Sequence, residues 1–166
     1  MPEFDPFNTI HKLLRAGMKR QALDKIYDEK KDSLKSPYDG DPNHAWYVVG
    51  DIYYKFEDFN RAIVAFDRAV SFREDDVEAL TALANAYIEC GKPELSEKTL
   101  RTALGIKPKD ESLIYNLGNA LFDKGEYESA IAEYSRISDS DPELKDKASK
   151  NEKIARDKLI SKRKGK

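Results

Sequence analysis

The chain has one cysteine, Cys90, in 166 residues. No internal disulfide can form, so a reducing compartment is the economical expectation. Histidine is almost as scarce. His11 and His44 make no metal-ligand spacing with Cys90, so no metal site is expected. Glycines never fall as G-x-G or before Lys-Ser/Thr, which removes the familiar phosphate-binding loops, and no cofactor is expected. The longest apolar runs, such as 45–49 and 62–66, are five residues, far short of the ~20 needed to cross a bilayer. The opening MPEFDPF has two acids, no base and no apolar stretch, unlike a secretory leader. The expectation is a cytoplasmic protein.

Charge is abundant but uneven. Charged residues make up 36% and hydrophobic ones 40%, which suits a thin structure better than a deep core. The net charge of −2 divides into +7 from Lys145 onward and −9 before it. Carboxylates spread over such an acidic surface are ordinarily a solvated face, and no catalytic residue is identified among them. Cys90, near a predicted helix end, reads as a tolerated small residue.

Order appears in residues 111–144. Ile114, Leu117, Gly118 and Leu121 share one face of a helix predicted over 112–124. Ala130, Tyr134 and Ile137 do so over 127–137, after a turn at Gly125, and Asp141-Pro142 caps and opens another helix. Shifted back by 34 residues, the pattern fits twice more. Its columns are Trp46, Leu80, Ile114; Val49, Leu83, Leu117; Gly50, Ala84, Gly118; and Tyr53, Tyr87, Leu121. The second helix gives Ala62, Ser96, Ala130; Phe66, Leu100, Tyr134; and Ala69, Ala103, Ile137. Small residues at the Gly50 and Ala62 columns let two helices approach; large ones fill the space between hairpins. Ile137 is bulky in a small column, which predicts different packing there.

Three tandem units, 43–76, 77–110 and 111–144, follow without insertion. Their period and the order Trp46-x2-Val49-Gly50-x2-Tyr53, then Ala62-x3-Phe66, resemble the tetratricopeptide repeat. That resemblance implies an all-α, right-handed superhelical solenoid of antiparallel helix pairs, stabilised by stacking. It also implies a non-enzymatic scaffold that binds a peptide segment of a partner protein in a concave groove.

The flanks are read from the same template. Residues 1–42 hold a divergent hairpin, with helices predicted over 7–16 and 19–34; aligning Gly17 with Gly91 and Gly125 places Glu29 in the Ala69 column. The loop SPYDGDP, 36–42, is expected to end that hairpin, with Asn43 capping the next helix. Residues 145–166 are read as a capping helix, from about 143 to 160, and a basic disordered tail, 161–166. Leu144, Ala148, Asn151, Ala155 and Leu159 form its buried stripe.

In the resembled family, the stripe beside the buried face lines the groove. Here it gives Tyr47, Val48, Asp51 and Tyr54; then Glu78, Thr81, Asn85, Ile88 and Glu89; then Tyr115, Asn116, Asn119, Phe122 and Asp123. Asparagine amides both donate to and accept from a peptide backbone, while the acids favour a neutral or basic segment. The family's clamp for a chaperone tail's terminal carboxylate does not match. In the earlier frame its slots hold Tyr47, Asp51, Ala82, Ser112 and Asn116. In the later one they hold Thr81, Asn85, Asn116, Asp146 and Lys150, where Lys150 replaces an arginine and Asp146 has the wrong sign. Two alternatives stay open: a groove used for self-association as a homo-oligomer, and contact with nucleic acid or an anionic membrane through the basic end. The absence of aromatics among those cations and the acidic body weigh against the second.

Overall fold

The computed structural model describes residues 5–164. Residues 1–4, where much of the leader reading falls, and 165–166 of the tail lie outside them. The fold is all-α. Its helices are α1 (Phe7–Arg15), α2 (Lys19–Ile26), α3 (Pro42–Lys55), α4 (Phe59–Phe72), α5 (Val77–Glu89), α6 (Pro93–Ile106), α7 (Glu111–Asp123), α8 (Tyr127–Ser135) and α9 (Pro142–Lys164). Two compact units divide the chain after Ala79, within α5.

In the first unit α1 packs on α2 and α3 on α4, around Ile10, Leu23, Ile26, Trp46, Val49, Tyr53 and Phe66, all buried. In the second, α7 packs on α6, α8 and α9, around Leu100, Leu117, Leu121, Tyr134, Ile137, Ala148 and Ala155. Fully burying each larger side chain contributes about 1.5–3 kcal/mol.

Helix pairs close against a glycine backbone. A Cβ on Gly50 would lie 2.5 Å from the Phe66 ring, and one on Gly118 2.5 Å from the Tyr134 ring. At the corresponding place in the middle repeat, Ala84 carries a methyl group and the large residue in the Phe66 column is Leu100, both buried. Glycine thus occurs in the repeats whose partner column holds a ring, and alanine in the repeat whose partner column holds leucine.

The turns keep register as well. Gly91 and Gly125, at φ 65° and 75°, are 34 residues apart, and the same slot in the first repeat holds Glu57 at φ 61°. Gly17, at φ 75°, makes the equivalent turn between α1 and α2. The left-handed conformation is costly for a residue with a Cβ. Aspartates open the following helices. Asp76 accepts from the Glu78 and Ala79 N–H groups, Asp110 from that of Leu113, and Asp141 from those of Glu143 and Leu144.

Four details depart from expectation. Asp41, not Asn43, caps α3, accepting from the His44 N–H; Asn43 is buried and donates its amide to the Ala69 carbonyl at 3.0 Å. The helix predicted over 19–34 stops at Ile26 and becomes a small antiparallel hairpin, β1 (Tyr27–Asp28) and β2 (Ser33–Leu34). Continuing it would carry the Glu29 carboxylate into the small-residue column, and burying such a charge is costly. α8 likewise ends at Ser135, two residues early. Ile137 has three more carbons than the alanines in its column, and the chain leaves the helix to bury it from the loop. At the C-terminus α9 runs to Lys164, so 161–164 are helical rather than disordered. Lys162 donates to the Gly125 carbonyl and lies over the Tyr127 ring, Arg163 pairs with Glu128, and cations suit a helix C-terminus.

Two stability measurements check this packing. Gly118→Ala should destabilise by about 1–3 kcal/mol, and by less in a Tyr134→Leu background, with coupling of at least about 0.5 kcal/mol; additive denaturation energies would contradict the contact. Glu57→Gly should stabilise by about 0.5–1 kcal/mol, the released strain exceeding glycine's entropy cost, and a lowered denaturation midpoint would contradict it.

Candidate functional site

Two cavities hold the side chains of interest, one in each unit. In the second unit, Ile88 of α5, Asn119, Phe122 and Asp123 of α7, Tyr134 of α8, and Asn151 and Ile154 of α9 line a cavity of about 350 Å³. Ile88, Asn119, Phe122 and Asp123 reach it from the stripe next to the buried face of α5 and α7, while α9 brings Asn151 and Ile154 to the same place.

The polar end of this cavity is tied together internally. Tyr134 Oη donates to Asn119 Oδ1 at 2.8 Å, and Asn151 Nδ2 reaches both Asn119 Oδ1 and Tyr115 Oη at 3.0 Å. Burial pushes the Tyr134 phenol above its ordinary range, leaving it a neutral donor. Asn119 and Tyr115, expected as ligand contacts, instead brace α7 against α9. Asn85, one turn before Ile88 on α5, and Asn116, one turn before Asn119 on α7, are half-buried, and their amides have no hydrogen-bond partner among the described residues. The apolar end is formed by Ile88, Phe122 packed edge-on to Tyr127 at 5.3 Å, and Ile154, 48% exposed. Partial desolvation, and then the neighbouring Glu89, raise the Asp123 carboxyl above its ordinary value. A ligand cation would relieve that repulsion.

Other expected residues are placed differently. Lys150 is exposed and paired with Asp146 at 2.6 Å, outside the cavity lining. Asn151 and Ile154 do the lining on α9. Carried into α9, the 34-residue register puts them in the buried Leu117 and Ala120 columns, so the repeat pattern alone gives no signal that they line a cavity. Thr81 is half-buried and Glu89 exposed. In the first unit, Val48 is 3% exposed and therefore core, not groove. Tyr47 donates to Glu78 at 3.0 Å, Asp51 is paired with Lys55, and Tyr54 packs edge-on to Phe59. Among the described residues no cluster of His, Cys, Asp and Glu could hold a metal, and no helix is long and apolar enough to cross a membrane.

The first unit's cavity, about 310 Å³, lies over Trp46, Val49 and Tyr53, with Tyr27, Glu29, Asp32, Arg61 and Arg68 around it. Asp32 accepts two bonds from Arg68, at 2.7 and 2.6 Å, and one from Tyr27 at 2.6 Å. The Arg68 bonds first, then that from Tyr27, lower its carboxyl from 3.8 to about 2. A carboxyl lowered on folding stabilises the native state above its unfolded value and loses that contribution as pH falls through the folded one. The wild-type melting temperature should therefore exceed that of Asp32→Asn at neutral pH, and the gap should close between about pH 4 and pH 2. A gap constant with pH would contradict the pairing.

Comparison with known proteins gives a consistent assignment. Two models of the tetratricopeptide repeat match residues 53–117 and 112–144. The chain is 29% identical over 119 residues to the tetratricopeptide repeat-containing protein trd-1 of Caenorhabditis elegans, covering 70% of this chain and 15% of that one. It is 24% identical over 114 residues to the BBSome complex member BBS4 of Bos taurus, covering 68% and 22%. It thus spans less than a quarter of either relative's length. Among solved structures, MamA from Desulfovibrio magneticus RS-1 aligns over 93% of this chain and 89% of its own, at TM-score 0.71 and 20% identity. YrrB, described as having an unusual peptide-binding site, aligns over 90% and 73% at TM-score 0.71 and 19% identity. The first such domain of Spaghetti (RPAP3), solved with the HSP90 peptide SRMEEVD, aligns over 81% and 98% at TM-score 0.64 and 17% identity. At such identities the likeness is one of fold. With the repeat models covering 53–144, the chain belongs to the tetratricopeptide repeat family.

Proposed function

We propose that this chain is a protein-interaction module whose second unit binds a peptide segment of a partner. The segment places one apolar side chain in the Ile88–Phe122–Ile154 cavity and a cation beside Glu89 and Asp123. The observation that carries this reading is the pair of half-buried, unpartnered amides, Asn85 and Asn116, one helical turn from an open apolar cavity. Half-buried amides without partners are available to a peptide backbone. YrrB and RPAP3 supply precedents for peptide binding on the same fold. The preference differs from that of the HSP90 peptide, because the clamp slots hold Asp146 and lack arginine.

The test begins with partners captured from the source cell by the full chain, followed by calorimetry with the segment recovered. Each hydrogen bond contributes about 0.5–1.5 kcal/mol net, so Asn85→Ala with Asn116→Ala should weaken binding about five- to a hundredfold. The melting temperature should barely move, and Lys98→Ala, exposed on α6, should bind normally. Unchanged affinity in the double mutant would place recognition elsewhere.

A further inference from the structure

The first repeat's aromatic column faces a helix that ends early. α2 has 8 residues where α4 and α6 each have 14, and the cavity over Trp46, Val49 and Tyr53 lies beside the hairpin that replaces its missing turns. The guanidinium of Arg68 lies 4.4 Å from the centre of the Trp46 ring, and that of Arg61 5.5 Å from Tyr53. Both arginines keep solvent access, with side chains 33% and 64% exposed. Two guanidiniums on an aromatic floor, at the mouth of a cavity, form a receptor for planar carboxylates.

That receptor already has an occupant from its own chain. Asp32 takes the fork of Arg68, while Glu29 lies 3.8 Å from Arg61 and accepts from Tyr53 Oη at 3.0 Å. Arg20, on α2, also reaches Glu29. The turn between them is short and exposed, held within itself by Asp28, whose carboxylate accepts from the Lys30 and Lys31 N–H groups. Its strands are two residues each, and Lys30 and Lys31 at its tip are exposed, as is the Asp32 side chain at 57%. Such a hairpin has little stability of its own.

We propose that the Arg61–Arg68 cavity is a binding site for an acidic protein segment with two carboxylates three residues apart, and that Glu29-Lys30-Lys31-Asp32 fills it in cis as a displaceable stand-in. This ligand is opposite in charge to the one proposed for the second unit, and the site lies wholly within the first. Because the stand-in is tethered, it competes at an effective concentration of order millimolar. The resting site is therefore closed to weak acidic ligands and opens to a segment that adds contacts in the cavity.

The test uses the full chain and two synthetic octapeptides, one copying residues 27–34 and one with Gln and Asn replacing its Glu and its second Asp. Binding is followed by the fluorescence of Trp46, the chain's one tryptophan. Glu29→Gln with Asp32→Asn should bind the acidic peptide at least about tenfold more tightly than wild type. Adding Arg68→Gln should abolish the gain, and the Gln/Asn peptide should not bind. A folded double variant that ignores the acidic peptide, or binds both peptides alike, overturns the proposal. Should the double variant not fold, amide exchange on wild type decides: millimolar acidic peptide should accelerate exchange across 28–33, and unchanged exchange overturns it.

Discussion

A bare backbone against an aromatic ring is the contact on which the rest depends. At Gly50 and Gly118 there is no room for one methyl group beneath Phe66 and Tyr134. Interiors at this density resist small volume changes, so the depth to which one helix settles on its partner is fixed to fractions of an ångström. That depth sets which side chains fall on the adjacent stripe and how far they project. The cavity-lining residues of α7 are thus positioned by a contact on its buried face, where Tyr134 both seats on Gly118 and donates to Asn119.

The cavities arise where the regular repeat gives way. Inner second helices, α4 and α6, have 14 residues, whereas α2 has 8 and α8 has 9. Both short helices stop where a residue unsuited to the small column arrives, Glu29 in one case and Ile137 in the other. In the first unit the hairpin that replaces the missing turns carries its carboxylates onto Arg61 and Arg68. In the second, α9 begins at Pro142, three residues ahead of the 34-residue register, and supplies Asn151 and Ile154 to the cavity. Departures from the repeat therefore localise chemistry that the repeat alone does not specify.

Much of this was legible in the residues. Column periodicity predicted the paired helices, the turns at Gly91 and Gly125, and the cap at Asp141, because each rests on local geometry at a fixed spacing. Less legible were the ends of α2 and α8, where tertiary crowding overrides a continuing helical pattern. The hairpin at 27–34 was missed because its charge-rich turn reads locally as an exposed helix, and only Tyr53, Arg61 and Arg68, distant in sequence, give it a place to dock. The site reading suffered in the same way. Spacing placed Asn119 and Tyr115 on the stripe beside the buried face, but their capture by Asn151 depends on where α9 lies. Val48 had the spacing of a groove residue, yet it is buried.

The most direct test of recognition by the second unit is a titration of isotope-labelled full chain with a captured partner segment, followed through backbone amide, side-chain amide and methyl resonances. The Asn85 and Asn116 amides and the Ile88 and Ile154 methyls should shift together and saturate at one stoichiometry. Shifts confined to the backbone amides of Lys158, Lys162 and Arg163 at the basic end of α9, with the asparagine side-chain amides unmoved, would contradict the account.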